Sequence, residues 1–130
     1  MIIVLGLSTA VQSTEDLYGI VVSVADGDTI TLKADDTAHK VRLAEIDTPE
    51  RDQSYGLDAT SALTDLLLGH QVRVKVVKES DRYGRVVGRI FIDGKDVSAH
   101  MVEQGHAMVY RRYLTDKSLL QLEANAKYKK

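Results

Sequence analysis

The sequence predicts an α+β fold, mostly β, in which five short strands form a closed barrel and three helices complete the domain. Three observations indicate this fold. Several short runs are rich in β-branched residues or alternate apolar with polar residues. Asp-Gly and Asp-Asp pairs between these runs are typical of tight turns. A run with helical spacing separates the third strand from the fourth, which is the element order of an OB-type barrel.

Length and composition indicate one globular domain. The chain has 130 residues, enough for a single core. Its 44% hydrophobic and 28% charged residues are typical of a soluble protein, and no apolar run is long enough to span a membrane. Because cysteine is absent from the sequence, a disulfide, a zinc-thiolate site and a thiol nucleophile are excluded.

The first 16 residues differ from the rest. Residues 1–10 are apolar and end in a Ser-Thr-Ala triplet that a signal peptidase accepts, but no Lys or Arg precedes them. A remnant of an export signal and a disordered start both fit. We favour the export remnant, so we expect residues 1–16 to be this remnant plus a linker, residues 17–130 to be the domain, and the protein to be secreted or periplasmic.

The first half of the domain predicts three strands and a helix. Residues 18–24 are rich in β-branched side chains, and strands follow at 30–33 and 40–44. Asp35-Asp36 predicts the turn between the last two. Leucines and alanines at helical spacing predict a helix over 57–68.

The second half predicts two more strands and two more helices. Alternating valines predict a strand over 72–76, and an apolar run predicts another over 86–92. Asp93-Gly94 would close that strand with a turn. A short helix is expected over 97–104 and a third over 116–128.

Charge is distributed unevenly along the chain. The net charge of −2 is not the signature of a general nucleic-acid binder. Residues 1–70, however, carry 4 bases and 12 acids, whereas residues 71–130 carry 13 bases and 7 acids. One interpretation is an acidic half that holds a metal and a basic half that holds a polyanion. The other is ordinary scatter of solvated charge.

Two acidic clusters flank the second and third strands. Asp26 and Asp28 precede them, and Asp47 and Glu50 follow. A hairpin turn explains the first cluster but not the second. If the clusters meet in space, their repulsion must be relieved by opposite charge or by protonation. Ca²⁺ suits such oxygen ligands.

Arg42 adds a cation to this region. It lies five residues before Asp47, so a strand between them would carry both residues toward the same end of the sheet. A guanidinium suits phosphate because its fork binds two phosphoryl oxygens and keeps its proton. A metal, an acid that can take a proton and a nearby guanidinium are the parts of a phosphoryl-transfer site.

Three motifs in order resemble those of the staphylococcal nuclease family. They are Asp26-Gly27-Asp28-Thr29, then Arg42 with Asp47-Thr48-Pro49-Glu50, and then Asp81-Arg82-Tyr83-Gly84-Arg85. Each motif alone is weak, but their order and spacing together are specific, and the resemblance extends over residues 17–129. It implies a five-stranded OB-type barrel with three helices, in agreement with the pattern above.

The resemblance also implies a metal site with one Ca²⁺. The carboxylates of Asp28 and Asp47 and the carbonyl of Thr48 would hold the ion, with Asp26 and Glu50 as acids in the outer shell. Glu50 would contact the attacking water, either as the general base or to order the water and its loop. The alternative for these residues is an ordinary role in turns and loops.

The resemblance also implies which residues are catalytic and which bind the substrate. Arg42, Glu50 and Arg85 would be catalytic, the two arginines by binding the phosphoryl group. Arg82, Tyr83 and Tyr113 would bind substrate, and a tyrosine can stack on a base or donate to a phosphate. The alternative for each cation is an ordinary surface charge.

The function implied is that of a calcium-dependent phosphodiesterase. Such an endonuclease hydrolyses DNA and RNA with little sequence preference and leaves 3′-phosphate ends, and we expect it to act as a monomer. A second hypothesis is a non-catalytic nuclease-like OB domain that binds nucleic acid or protein, and a third is a structural OB domain. The acids and arginines that such binding relatives typically lose are all present here, which favours the enzyme.

Overall fold

The computed structural model describes residues 16–49, 53, 55–110 and 117–128. Five longer strands are β1 Leu17–Asp26, β2 Thr29–Ala34, β3 Thr37–Leu43, β5 Gln71–Lys78 and β6 Val86–Ile92. Three strands of two residues are β4 Ile46–Asp47, β7 Lys95–Asp96 and β8 Met108–Val109. The helices are α1 Gly56–Leu67, α2 Val97–Glu103 and α3 Ser118–Tyr128.

The five longer strands form a closed barrel. Antiparallel pairs join β3 to β2, β2 to β1, β1 to β5 and β5 to β6. A parallel pair between β3 and β6, in which Val41 lies opposite Val86, closes the ring. The short strands β4 and β8 form a separate antiparallel pair. The predicted five-stranded barrel with three helices is therefore confirmed.

The core lies inside the barrel and under the helices. Alternation along β2 and β3 turns Ile30, Leu32 and Val41 inward, where they are fully buried. Leu63 of α1 and Met101 of α2 are also fully buried and join the same cluster. Each large apolar side chain buried in this way contributes about 1.5–3 kcal/mol relative to exposure.

Two glycines allow the strands to pass close to one another. A Cβ atom on Gly19 of β1 would lie 2.3 Å from the carbonyl oxygen of Lys33. A Cβ atom on Gly88 of β6 would lie 2.5 Å from a methyl group of Val74. The register of β1 against β2 also shifts twice, between Val21 and Ser23 and between Val24 and Asp26, and such bulges bend a strand. Close crossings and bulges curve the sheet enough to close it.

Both predicted Asp turns are confirmed. Asp35 and Asp36 have φ values of 51° and 64°, and Asp93 and Gly94 have values of 50° and 79°. Positive φ at both central residues is typical of the two-residue turn that matches the twist of a hairpin.

The strand predicted over 40–44 does not continue to Asp47. Strand β3 ends at Leu43, and the chain turns at Ala44 and Glu45 before it enters β4. Glu45 has a φ of 68°, in the left-handed region, so the backbone changes direction there. Arg42 and Asp47 therefore approach each other across a corner.

Two further expectations concern the first residues of the chain and membrane-spanning segments. Residues 1–15 lie outside the described residues, so their interpretation as an export remnant stays a prediction. Within the described part, no helix has the length and apolar character needed to cross a membrane.

Candidate active site

The site is built around the turn between β1 and β2. Asp28 lies in this turn, and only 6% of its surface is exposed. The hydroxyl of Thr29 donates to Asp28 Oδ1 at 3.1 Å, and the backbone N–H of Asp28 donates to Asp26 Oδ1 at 3.1 Å. A turn that buries a carboxylate needs such donors, because an unpaired buried charge is costly.

The second acidic cluster meets the first at this point. The backbone N–H of Thr48 donates to Asp28 Oδ2 at 3.1 Å, although the two residues are 20 positions apart. Thr48 directly follows Asp47, the last residue of β4. The structure therefore brings Asp26, Asp28, Asp47 and Thr48 to one end of the barrel.

Arg42 lies between the two clusters. Its Nη1 is 3.6 Å from Asp28 Oδ2, and its Nη2 is 3.5 Å from Asp47 Oδ1. Nη1 also donates to the carbonyl oxygens of Leu43 at 2.8 Å and Ile46 at 2.9 Å. The guanidinium is thus held by backbone carbonyls and faces two carboxylates, and its side chain is only 14% exposed.

Arg85 approaches the same turn from the loop between β5 and β6. Its Nη1 lies 3.5 Å from the hydroxyl oxygen of Thr29, which itself donates to Asp28. The register of the barrel explains this meeting. Thr29 lies opposite Arg42 on β3, and Arg42 lies opposite Val87 on β6, two residues after Arg85.

Asp81 organises the loop that carries Arg85. Its Oδ1 accepts the backbone N–H groups of Tyr83 and Arg85, each at 2.9 Å, and its Oδ2 accepts Arg85 Nε at 2.8 Å. Burial alone would raise the pKa of Asp81. The hydrogen bonds from Arg85 and Tyr83 and the charge of the guanidinium outweigh burial, so the pKa of Asp81 is lowered.

Asp26 shows how concentrated the negative charge is. Its pKa is raised, first by desolvation and then by its hydrogen bond and charge interaction with Asp28. A raised carboxylate pKa next to a second carboxylate indicates a place where added positive charge would be favourable.

Aromatic and basic side chains border Arg85. Tyr83 is 69% exposed, and the guanidinium carbons of Arg82 and Arg85 each lie 5.3 Å from the centroid of its ring. A groove of about 550 Å³ passes this ring. Its walls include Arg42, Val77, Lys78, Arg85 and Tyr110.

Two of the sequence-predicted site residues lie outside the described residues. Nothing in the structure bears on the position of Glu50 or of Tyr113. Their assigned roles stay predictions.

The structure also adds residues that the sequence did not single out for a role. Thr29 connects Arg85 to Asp28, Asp81 orients Arg85, and Lys78 lines the groove. The spacing of Asp81 from Tyr83 is the signal that could have found its role, since an aspartate often accepts the N–H two residues ahead. Lys78 gives no such signal, because a lysine at the end of an exposed strand is common.

The donors at this point fit a hard cation. Asp28, Asp47 and the Thr48 carbonyl supply only oxygen, which Ca²⁺ prefers. Each Asp28 oxygen accepts one hydrogen bond from the described residues, which leaves lone pairs for a further ligand. In the described part of the chain, no group of three His, Cys, Asp or Glu side chains is placed to hold a metal.

Comparison with known proteins identifies the family to which the chain belongs. A family model described as staphylococcal nuclease homologue matches residues 40–130. An uncharacterized endonuclease of Escherichia coli is 40% identical over 116 residues, which is 88% of this chain and 75% of that protein. A micrococcal nuclease of Shigella flexneri is 36% identical over 132 residues, which is 93% of this chain and 75% of that protein.

A protein named ParB from E. coli is 36% identical over 135 residues, which is 95% of this chain and 76% of that protein. The matches to these relatives cover 88–95% of this chain. The likeness inferred from those motifs is thereby confirmed, and the chain belongs to the family of staphylococcal nuclease homologues.

Proposed function

We propose that this protein is a Ca²⁺-dependent nuclease that hydrolyses phosphodiester bonds in DNA and RNA with little sequence preference. One observation carries the proposal. Two arginines from different parts of the chain converge on one buried aspartate, Arg42 at 3.6 Å and Arg85 through the hydroxyl of Thr29. Two guanidinium groups can bind the phosphoryl oxygens of a phosphodiester, and the neighbouring carboxylates can hold a cation. The relatives named endonuclease and micrococcal nuclease support the same activity.

The proposed cofactor is one Ca²⁺. Asp28, Asp47 and the carbonyl of Thr48 would hold the ion, with Asp26 and Glu50 in the outer shell. When bound, the ion supplies charge neutralisation for these acids and polarisation of a phosphoryl oxygen. The raised pKa of Asp26 supports the need for such a charge.

The two arginines act on the phosphoryl group. The transition state of hydrolysis carries more negative charge on its oxygens than the diester does, so donors placed for it accelerate the reaction. Arg42 is fixed by two backbone carbonyls and Arg85 by Asp81, so both guanidinium groups are pre-oriented. Pre-orientation means that little reorganisation is needed during the reaction.

The proposed reaction breaks the bond between phosphorus and the 5′ oxygen. The oxygen of a water molecule, positioned by Glu50 as base or as ordering group, forms a bond to phosphorus. The 5′ oxygen then leaves and takes up a proton. The phosphate remains on the 3′ oxygen, so the products carry 3′-phosphate and 5′-hydroxyl ends.

Substrate binding is proposed along the groove beside Tyr83. Tyr83 and Tyr113 would stack on bases, and Arg82 would contact the backbone. Stacking tolerates any base, and phosphate contacts carry no direct sequence information. Little sequence preference follows from these two kinds of contact.

We further propose that the protein acts as a monomer in a secreted or periplasmic location. The apolar residues 1–10 and the Ser-Thr-Ala triplet at their end support that location. Fractionation of cells that express the full chain would test it.

Degradation assays test the activity. Purified protein is incubated with single-stranded DNA, RNA and duplex DNA, with Ca²⁺ or with EGTA. We expect cleavage of all three with Ca²⁺, fastest on single strands because the groove takes unstacked bases, and none with EGTA. The product 5′ ends should accept phosphate from polynucleotide kinase without phosphatase treatment. Absence of cleavage between neutral and alkaline pH would overturn the proposal.

A further inference from the structure

A charged cluster lies next to the site and outside its three motifs, and one of its residues, Glu45, lines the groove. Arg89 of β6 donates from Nη1 to Glu45 Oε2 and from Nη2 to Asp96 Oδ2. The side chains of Arg89, Glu45 and Asp96 are 14%, 6% and 20% exposed. We call these three residues the Arg89 cluster. A buried ion pair is weak evidence for stability, because desolvation offsets most of its attraction, so the cluster calls for another explanation.

The cluster holds the corner between β3 and β4. Glu45 has a φ of 68°, which costs a residue other than glycine about 1 kcal/mol. Such a conformation persists only where its surroundings determine it. The side chain of Glu45 is tied to Arg89, and its carbonyl accepts the N–H of Tyr110 at 2.8 Å.

Ala44, the other residue of the corner, is tied on both sides. Its N–H donates to the Gly88 carbonyl at 2.8 Å, and its carbonyl accepts the Ser98 hydroxyl at 2.9 Å. Ser98 lies in the first turn of α2, where Asp96 caps the helix by accepting the N–H of Ala99 at 3.4 Å. The Arg89 cluster therefore connects β6, the start of α2 and the corner.

The corner in turn determines the position of Arg42. The carbonyl of Leu43 lies before the corner and that of Ile46 after it, yet both accept from Arg42 Nη1, at 2.8 Å and 2.9 Å. Two carbonyls three residues apart point at one nitrogen only because the chain bends between them. If the bend relaxed, Nη1 would lose at least one acceptor.

We infer that Arg89 is a positioning residue for Arg42, and that it acts through Glu45 and Asp96 by fixing this corner. The inference rests on the proposed function, because in that function Arg42 binds the phosphoryl group. Arg89 itself donates to Glu45 and Asp96 and is not one of the residues that line the groove. Its loss should therefore affect the rate of the chemical step more than the strength of substrate binding.

The kinetic test compares two arginine variants. Arg89→Met keeps the apolar stem and removes the charge. We expect kcat on single-stranded DNA to fall by about tenfold to a hundredfold, the scale of a small misplacement near the chemistry, with KM changed much less. Arg73→Met is the matched control. Arg73 is also a strand arginine with an acidic partner, Asp16 at 3.0 Å, and it packs over Phe91. We expect its kcat to stay at the wild-type value.

Two additional variants separate positioning from folding. Glu45→Gln combined with Arg89→Met and Asp96→Asn removes all three charges, so no buried carboxylate is left unpaired. We expect this triple variant to fold better than Arg89→Met, as judged by its melting temperature, and still to have low kcat. Arg89→Lys should recover part of the rate, because an ammonium can pair with the acids but lacks the two-pronged geometry.

An NMR measurement decides the inference without any activity. In the wild type, hydrogen bonds to two carbonyls should slow rotation of Arg42 Nη1 and give resolved side-chain N–H resonances. Arg89→Met should broaden or merge them, and Arg73→Met should not.

Each outcome has a definite meaning. Inactive wild type with Arg42 resonances that respond to Arg89→Met overturns the proposed function and retains the positioning role. Active wild type with unchanged kcat and unchanged Arg42 resonances in Arg89→Met overturns the inference. Loss of kcat in Arg73→Met equal to that in Arg89→Met would also overturn it, because loss of an ion-paired strand arginine elsewhere in the barrel would then have the same effect.

Discussion

At the scale of single residues, the two arginines differ in how they are held. Arg42 is fixed by backbone carbonyls, whereas Arg85 is fixed by the carboxylate of Asp81. Both are near Asp28, but Arg42 approaches from the end of β3 and Arg85 from the loop between β5 and β6. The sequence predicted both arginines from the motifs, but it could not predict these supports, because they depend on contacts across the barrel.

Replacement of Arg85 by alanine tests its role in the transition state. Arg85→Ala should lower kcat far more than it raises KM. The transition state should lose at least about 2.7 kcal/mol of stabilisation, the scale of one lost charge-stabilising donor. Steady-state kinetics on single-stranded DNA measure both constants. Arg73→Ala, away from the site, is the control and should retain wild-type kcat. A change in KM alone would show that Arg85 contributes only to binding.

Replacement of Arg42 by alanine should have a broader effect. Arg42 lies between two carboxylates, so its loss removes the proposed phosphate donor and also the ion pairs with Asp28 and Asp47. We therefore expect Arg42→Ala to lower kcat, with an activation free energy higher by about 2.7 kcal/mol or more, and to raise KM as well. The same kinetic assay checks this, and an unchanged KM would contradict it.

Asp81 gives a prediction for the effect of pH on stability. Its pKa is lowered from 3.8 in the folded protein, despite the opposing effect of burial, by hydrogen bonds from Arg85 and Tyr83. The unfolded chain therefore binds the proton more readily. The stabilisation is fully present above pH 3.8 and is lost as the pH falls through the folded value.

Urea unfolding of wild type and Asp81→Asn measures this effect. At pH 7 we expect the variant to be less stable by about 1.5 kcal/mol, the low end for hydrogen bonds to a charged group. The difference should narrow when the pH falls below 3.8. A difference that stays constant down to the lowest accessible pH would mean that the Asp81 charge does not contribute.

At the scale of elements, the sequence predicts what local patterns determine. Alternation and helical spacing give the five longer strands and the three helices, each within a few residues of its observed bounds. The two-residue strands were not predicted. Strand β4 exists because Ile46 pairs with Val109, more than sixty residues away, and no local pattern encodes such a pairing.

The corner at Glu45 escaped prediction for a similar reason. Glutamate has no preference for the left-handed region, so its type gives no turn signal. The conformation depends on Arg89, on the backbone hydrogen bond from Tyr110 to Glu45, and on the bond from the neighbouring Ala44 to Gly88. The spacing of Arg42 and Asp47 suggested a strand between them, and these distant contacts instead hold a turn there.

Close strand crossings give a prediction for the barrel itself. Gly19→Ala should destabilise the fold by about 1–3 kcal/mol, as overpacking does, because the added Cβ atom would lie 2.3 Å from the Lys33 carbonyl oxygen. Gly94→Ala is the control. Gly94 has a φ of 79° but open space around its Cβ position, so it reports the cost of backbone strain without a clash. Thermal unfolding that shows equal losses would mean that the strands separate easily.

At the scale of the whole molecule, the uneven charge along the chain has a structural meaning. The parallel pair of β3 and β6 closes the barrel and joins its acidic first half to its basic second half. Arg42 lies opposite Val87 there, and the loop with Arg82 and Arg85 lies next to it. The acids that suit a cation and the cations that suit a polyanion thus meet at one closure.

The barrel closure also explains why a metal should stabilise the fold. Asp28 and Asp47 lie on separate strand ends, and the folded chain holds both against Arg42. The unfolded chain has no such arrangement, so it has no comparable site for a cation. A ligand that binds only the folded state raises the free energy of unfolding.

Melting curves with and without Ca²⁺ test this linkage. At a free Ca²⁺ concentration about a hundred times Kd, the free energy of unfolding should rise by about 2.7 kcal/mol. Mg²⁺ should raise it less, because that ion demands a tighter octahedron and keeps its waters. Asp28→Asn should abolish the effect of Ca²⁺. Asp36→Asn is the matched control, since Asp36 is an exposed turn residue at a φ of 64° that asparagine also adopts. If wild type ignores saturating Ca²⁺, or Asp28→Asn still responds as Asp36→Asn does, then Asp28 and Asp47 do not share a metal.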